Sequence, residues 1–243
     1  MPRARFRGVV EHVAAVRPEV DDPRTAITDG RVLVDGAVID NPNARVRADA
    51  AVVVRPNGVL RGEAKLRGAL DAFTVDVLGR VALDAGASAG GFTRVLLDAG
   101  ASCVYAVDAG HGQLLGSLRQ DPRVVNLEAT NLGDLTPVLV PQPVEVVTLD
   151  LSYLSIAAAV PQLEAVNVAA DADLVALVKP MFELALDTPP TDRARLQGAV
   201  NRAAEGVETG PWEVVARTAS TVRGANGAIE FFLHARRHSR GNS

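Results

Sequence analysis

Val81-Ala82-Leu83-Asp84-Ala85-Gly86-Ala87-Ser88-Ala89-Gly90-Gly91-Phe92-Thr93 is the stretch on which the reading turns. An apolar run leads into three glycines and then into a run that can form a helix, so it reads as strand, tight turn and helix starting near Gly91. Glycine lets a backbone turn sharply and come close to a ligand. The Asp84 carboxylate and the amides of the helix N-terminus both face the turn, which suits a ligand carrying positive and negative charge together. The spacing is G-x-x-x-G-G. It is neither G-x-G-x-x-G nor a P-loop, because no Lys-Ser or Lys-Thr follows.

Immediately downstream, Val104-Tyr105-Ala106-Val107-Asp108 is a second short apolar strand ending in an acid. Asp108 lies about twenty residues beyond the glycines, where nucleotide-binding α/β folds place a carboxylate on a ribose diol. The strand candidates continue at 123–127, 144–149, 174–178, 212–220 and 229–236. Helix candidates fall at 91–99, 112–119, 155–166 and 192–206. Such alternation implies an α/β fold with a parallel, doubly wound sheet. Only Val222-Arg223-Gly224-Ala225-Asn226-Gly227 joins the last two strands. That is too short for a crossover helix, so they pair antiparallel. Pro122, Pro143 and Pro211 sit at strand entrances, where a missing amide donor does least harm.

Residues 1–56 look like a separate small α+β unit. Helices are expected over 6–16 and 22–29, with Pro23 in the first turn of the second. Val32-Leu33-Val34-Asp35-Gly36-Ala37-Val38-Ile39 is a strand, an Asp-Gly turn and a strand, the signature of a hairpin, and Ala51-Val52-Val53-Val54 closes a small sheet. Residues 57–61 form a linker, and 62–243 the main domain, opening with a helix over 62–73.

Composition narrows the function. The 243 residues are 48% hydrophobic but only 4% aromatic, which fits an α/β core of aliphatic side chains. A net charge of −4 gives no overall basic footprint for a nucleic acid. The single cysteine, Cys103, excludes an internal disulfide framework. The four histidines show no ligand spacing with cysteine or acid, so no metal site is expected. No secretory leader or apolar span is legible, and a soluble, cytoplasmic protein without membrane contact is expected. Of 25 basic Lys and Arg residues, only Lys65 and Lys179 are lysine. Arginine does not release its proton, whereas a partly buried lysine can act as a base.

Ligands of such sheets bind beyond the C-terminal strand ends. Those ends carry Asp84, Asp108, Glu128-Ala129-Thr130-Asn131, Asp150 and Lys179. Lys179, beside a second ammonium from Lys65 and with Asp150 and Glu230 orienting both, is placed to take a proton from a hydroxyl.

Two resemblances sharpen this. Gly30-Arg31-Val32-Leu33-Val34-Asp35-Gly36 resembles the core of an S4-type RNA-binding domain, although residues 1–56 hold nine arginines against eight acids. Seven strands ending in an antiparallel pair resemble the class I, Rossmann-like methyltransferases. Lys65, Asp150, Lys179 and Glu230 fall in the order of the Lys-Asp-Lys-Glu tetrad of FtsJ-like ribose 2′-O-methyltransferases. With Asp150-Leu151-Ser152-Tyr153 and Lys179-Pro180-Met181-Phe182-Glu183, the chain is most similar to the TlyA type, an S4 domain followed by an FtsJ-like domain.

The resemblance implies S-adenosyl-L-methionine as cofactor, held by Asp84, Gly86, Ala87, Ser88, Gly90, Gly91, Phe92, Asp108, Glu128, Thr130, Asn131 and Asp150. It implies RNA, in ribosomal RNA or ribosomal subunits, as substrate, with Lys179 as base. The chain departs from the family at Leu184 to Thr191, at Leu60 to Ala64, and in its weakly basic N-terminal unit. A non-catalytic RNA- or ribosome-binding relative that keeps the cofactor pocket is therefore the alternative. The oligomeric state is not legible.

Overall fold

The computed structural model describes residues 5–28, 30–55 and 60–238. The N-terminal unit comprises β1 (Phe6–Gly8), α1 (Val9–Val16), α2 (Pro23–Thr28), β2 (Val32–Val34), β3 (Ala37–Ile39), β4 (Arg45–Arg47) and β5 (Val52–Val54). β2 pairs antiparallel with both β3 and β5. The Asp-Gly turn forms as expected: Val34 faces Ala37, and Asp35 and Gly36 both take positive φ, at 49° and 86°. Such a turn matches the twist of the two strands. Val9, Val13, Ala26, Ile27, Val32 and Val34 form a core belonging to this unit. Phe6–Gly8 is a strand rather than the start of the first helix, because it pairs with β4. The expected end of α2 at Asp29 and residues 57–59 of the expected 57–61 linker lie outside the described residues, while Arg61, its last expected residue, begins the helix Arg61–Phe73.

The main domain runs α3 (Arg61–Phe73), β6 (Val81–Ala85), α4 (Gly91–Asp98), β7 (Cys103–Asp108), α5 (Gly116–Arg119), β8 (Val124–Glu128) and β9 (Val144–Leu149). It continues with α6 (Ile156–Ala159), β10 (Val168–Val178), α7 (Pro180–Glu183), α8 (Arg193–Glu208), β11 (Trp212–Ala219) and β12 (Phe231–Arg237). Seven strands form one sheet in the order β11-β12-β10-β9-β6-β7-β8. β12 is antiparallel to both its neighbours and the remaining pairings are parallel.

Alternation along the strands builds two cores, one on each face. Ala82, Val104, Val146, Val175 and Phe232 pack with Leu66, Leu70, Val95 and Leu96 of α3 and α4. Leu83, Val147, Leu149, Leu174 and Leu233 pack with Ile156, Val200 and Val207 of α6 and α8. No helix of the described residues is long and apolar enough to cross a membrane.

Three elements differ from expectation. The helix expected over 112–119 is a single turn, Gly116–Arg119. Its first half is held open because the Glu128 carboxylate accepts the amides of Gln113 and Leu114, at 2.5 and 3.0 Å. The helix over 155–166 is one α-turn followed by a 3-10 stretch over Val160–Ala165. β10 begins six residues before the expected strand, taking in Asp171 and Asp173.

Candidate active site

β6, β7, β9 and β10 all end at one edge of the sheet, and two cavities open there. The first, of about 260 Å³, lies over Gly86, Ser88, Asp108, Gln113, Thr130 and Tyr153. The second, of about 430 Å³, lies between Lys65, Lys179, Met181, Phe182, Pro189 and Glu230. Gly86, Ser88, Asp150 and Ser152 line both, so the two share a wall.

Gly86 must be glycine. Its φ is +89°, and a Cβ there would stand 2.3 Å from the Asp150 carbonyl oxygen. The turn thereby presses against the end of β9, where the Asp150 amide donates to Ala85 O at 2.9 Å. Asp108 Oδ2 accepts the Ser88 amide at 2.8 Å and Oδ1 the Gly110 amide at 2.6 Å. Each of these oxygens keeps a further lone pair for a diol in the first cavity.

The second cavity is bounded by two ion pairs. Lys179 Nζ stands 2.6 Å from Asp150 Oδ1. It also donates to Ser152 Oγ at 2.9 Å. Lys65 Nζ stands 2.5 Å from Glu230 Oε2, and both side chains are buried. α3 carries Lys65, and Glu230 immediately precedes β12. The four residues expected to act together are thus brought to one cavity.

Of the residues expected to hold the cofactor, only some line the first cavity. Gly86, Ser88, Asp108, Thr130 and Asp150 line the first cavity. Asp84 does not. β6 runs one residue further than expected, and the Asp84 side chain is wholly buried beneath the turn. It accepts hydrogen bonds from Thr93 Oγ1 at 2.6 Å and Thr148 Oγ1 at 2.9 Å. Burial pushes its carboxyl up to about 6; the two threonines oppose this, and the charge of Asp150 adds to it.

Ala87, Gly90, Gly91 and Phe92 also stay outside the cavity lining. Ala87 and Phe92 belong to the α3–α4 core, where Phe92 stacks on Phe232 with centroids 6.2 Å apart. Glu128 turns away to hold the 113–114 backbone. Burial acts to raise its carboxyl, but the amide of Leu114, the Asn126 side chain and the amide of Gln113 outweigh it and hold it low. Asn131 instead donates to Asp134 at 2.9 Å. The sequence reading missed Gln113, Ser152 and Tyr153. Ser152 lies in the segment Asp150-Leu151-Ser152-Tyr153, just past the end of β9.

A seven-stranded sheet of this order, with an acid-lined cavity at its switch in strand order and a lysine–carboxylate site beside it, defines an S-adenosyl-L-methionine-dependent methyltransferase. The model of the FtsJ-like methyltransferase family matches residues 59–237, and the chain belongs to that family. It is 49% identical over 184 residues to the 16S/23S rRNA (cytidine-2′-O)-methyltransferase TlyA of Mycobacterium tuberculosis, covering 72% of this chain and 67% of that protein. It is 35% identical over 178 residues to hemolysin A of Brachyspira hyodysenteriae, covering 70% of this chain and 73% of that one. A solved hemolysin-like protein from Streptococcus thermophilus superposes with a TM-score of 0.71 at 27% identity, covering 96% of this chain and 89% of that one.

Proposed function

We propose that this chain methylates a ribose 2′-hydroxyl of ribosomal RNA. The reading is carried by one observation: two lysine–carboxylate pairs, Lys179–Asp150 and Lys65–Glu230, line the cavity that shares a wall with the cofactor cavity. Bound S-adenosyl-L-methionine supplies a methyl group made electrophilic by its sulfonium. Asp108 and Thr130 would hold its nucleoside side, and Gly86 and Ser88 its amino-acid side. A ribose hydroxyl is a poor nucleophile until a base takes its proton. Lys179 Nζ, once its ammonium has released a proton to water, is that base: the proton moves from the hydroxyl oxygen to nitrogen as the oxygen takes the methyl group, the methyl–sulfur bond breaking to leave the neutral thioether of the spent cofactor. Asp150 holds the resulting ammonium. Lys65, fixed by Glu230, presents a second positive charge toward the oxygen as its negative charge develops.

The apolar side of the cavity, Met181, Phe182, Pro189 and Ile229, suits a nucleobase or its sugar. The curated relative from M. tuberculosis acts on cytidine in 16S and 23S rRNA, which supports ribosomal RNA as the substrate. Residues 1–56 are read as an S4-like RNA-binding unit, 57–61 as a linker and 62–243 as the catalytic domain. Such a substrate places the enzyme in the cytoplasm.

The test is tritiated-methyl transfer from S-adenosyl-L-methionine to unmodified ribosomal subunits. Lys179→Ala should lower the rate by roughly 10²–10⁴-fold, the usual contribution of a positioned base, with cofactor binding by calorimetry retained. An unchanged rate would remove Lys179 as base. Cofactor binding with no transfer by the wild-type chain to any ribosomal RNA would favour the non-catalytic alternative.

A further inference from the structure

We propose that Ser152 is a positioning residue that aims the lone pair of Lys179 at the substrate hydroxyl. This rests on the reading of Lys179 as the base. The valence of an amine sets the requirement. To accept a proton, Nζ must be neutral, with two N–H groups and one lone pair arranged tetrahedrally with the Cε bond. Lys179 Nζ has two side-chain acceptors, Asp150 Oδ1 at 2.6 Å and Ser152 Oγ at 2.9 Å. Two acceptors occupy both N–H groups of the neutral amine, so the lone pair is left with the third direction. With Asp150 alone, the amine rotates about its Cε–Nζ bond and the lone pair is shared between two directions.

The placement of Ser152 fits this work. Asp150 and Ser152 both line the two cavities, while Leu151 between them is buried in the core and pins the segment. The Asp150 amide is tied to Ala85 O at 2.9 Å, and its carbonyl is pressed onto Gly86. The two acceptors therefore come from one short, anchored run of chain, and their separation is set by the backbone. Lys179 is the N-cap of α7, with Pro180 fixing the backbone after it. The lysine stem enters from β10, the acceptors from β9, and the amine is held where the cavities meet.

The experiment compares Ser152→Ala, Ser152→Thr, Ser152→Cys and Lys179→Ala on ribosomal subunits, with cofactor affinity measured separately by calorimetry. Ser152→Ala should lower kcat about tenfold, a part of what a positioned base contributes, and leave the KM for RNA and the Kd for S-adenosyl-L-methionine unchanged. Ser152→Thr keeps the hydroxyl and should restore the rate. Ser152→Cys keeps the size but offers only a weak acceptor, and should stay as slow as alanine.

Equal rates for the threonine and cysteine variants would overturn the proposal. So would a fall in kcat matched by an equal loss of cofactor affinity, because Ser152 would then be a wall of the pocket. An inactive Lys179→Ala beside a fully active Ser152→Ala would overturn it while leaving Lys179 as base. A fully active Lys179→Ala would overturn the base and this proposal together.

Discussion

Two buried acids show how single residues tie this fold to pH, and they act with opposite sign. Asp84 is fully buried, with its carboxyl pushed up to about 6 from an ordinary 3.8. Between about pH 4 and 6 the folded chain thus holds a proton there that the unfolded chain has already lost. Stability from this group is greatest below the unfolded value and declines as pH rises through about 6, by about 3 kcal/mol in all. Asp173 is the reverse. Burial alone would raise it, but hydrogen bonds from His234 at 2.7 Å and Arg80 at 2.7 Å, together with the Arg80 charge, bring it to about 2. Its contribution, about 2 kcal/mol, is present above its unfolded value and lost as pH falls through about 2. Urea unfolding between pH 2 and 8 should therefore be flatter above pH 4 for Asp84→Asn and flatter below pH 4 for Asp173→Asn. Parallel curves for variant and wild type would contradict the assignment. Asp84 is also where sequence reasoning failed most clearly. Its position at the strand tip suggests a ligand contact. The threonines that satisfy it come from α4 and β9, nine and sixty-four residues away, a proximity that no local spacing reports.

At the scale of elements, α3 is tied to the end of the sheet by the buried Lys65–Glu230 pair. Removing one member leaves an unpaired charge out of water, which costs roughly 3–5 kcal/mol, whereas replacing both by apolar residues is often neutral. Glu230→Gln should lower the unfolding free energy by about 3 kcal/mol. The double variant Lys65→Met/Glu230→Met should recover most of that loss in urea titrations while remaining inactive in methyl transfer. A double variant as unstable as the single one would make the pair a stabilising feature rather than one kept for chemistry. The same scale shows what was legible. β6, β7 and β9 were found because a doubly covered sheet needs continuous apolar runs. β1 and β4 escaped notice because three residues carry no periodicity. The start of β10 escaped because Asp171 and Asp173 break its apolar pattern. The Lys-Asp-Lys-Glu set was singled out because its order resembles the family tetrad, and the fold brings all four to one cavity. The loop over 109–115 was not legible, because its open form depends on the distant carboxylate of Glu128.

Over the whole molecule, the N-terminal unit rests on that same loop. Gly30 packs against Gly116, the Val38 amide donates to Gly112 O at 3.3 Å, and Arg55 donates to Gln113 O at 3.1 Å. The other side of the loop faces the first cavity through Gly110 and Gln113, whose side chain accepts from Ser88 Oγ at 3.1 Å. A displacement of the N-terminal unit therefore reaches that cavity through a single layer of chain. Gly30 and Gly36 separate this effect from local strain. Both have positive φ, so alanine at either costs about 1 kcal/mol in backbone strain. A Cβ on Gly30 would also stand 2.1 Å from the Gly116 nitrogen, whereas one on Gly36 meets nothing within 4 Å. Gly30→Ala must push the unit off the loop or deform the loop. It should weaken S-adenosyl-L-methionine binding by about tenfold, equivalent to roughly 1.4 kcal/mol, with Gly36→Ala at wild-type affinity. Calorimetric titration of the two variants checks this. Equal affinities would mean that the N-terminal unit sits on the loop without bearing on the cavity behind it.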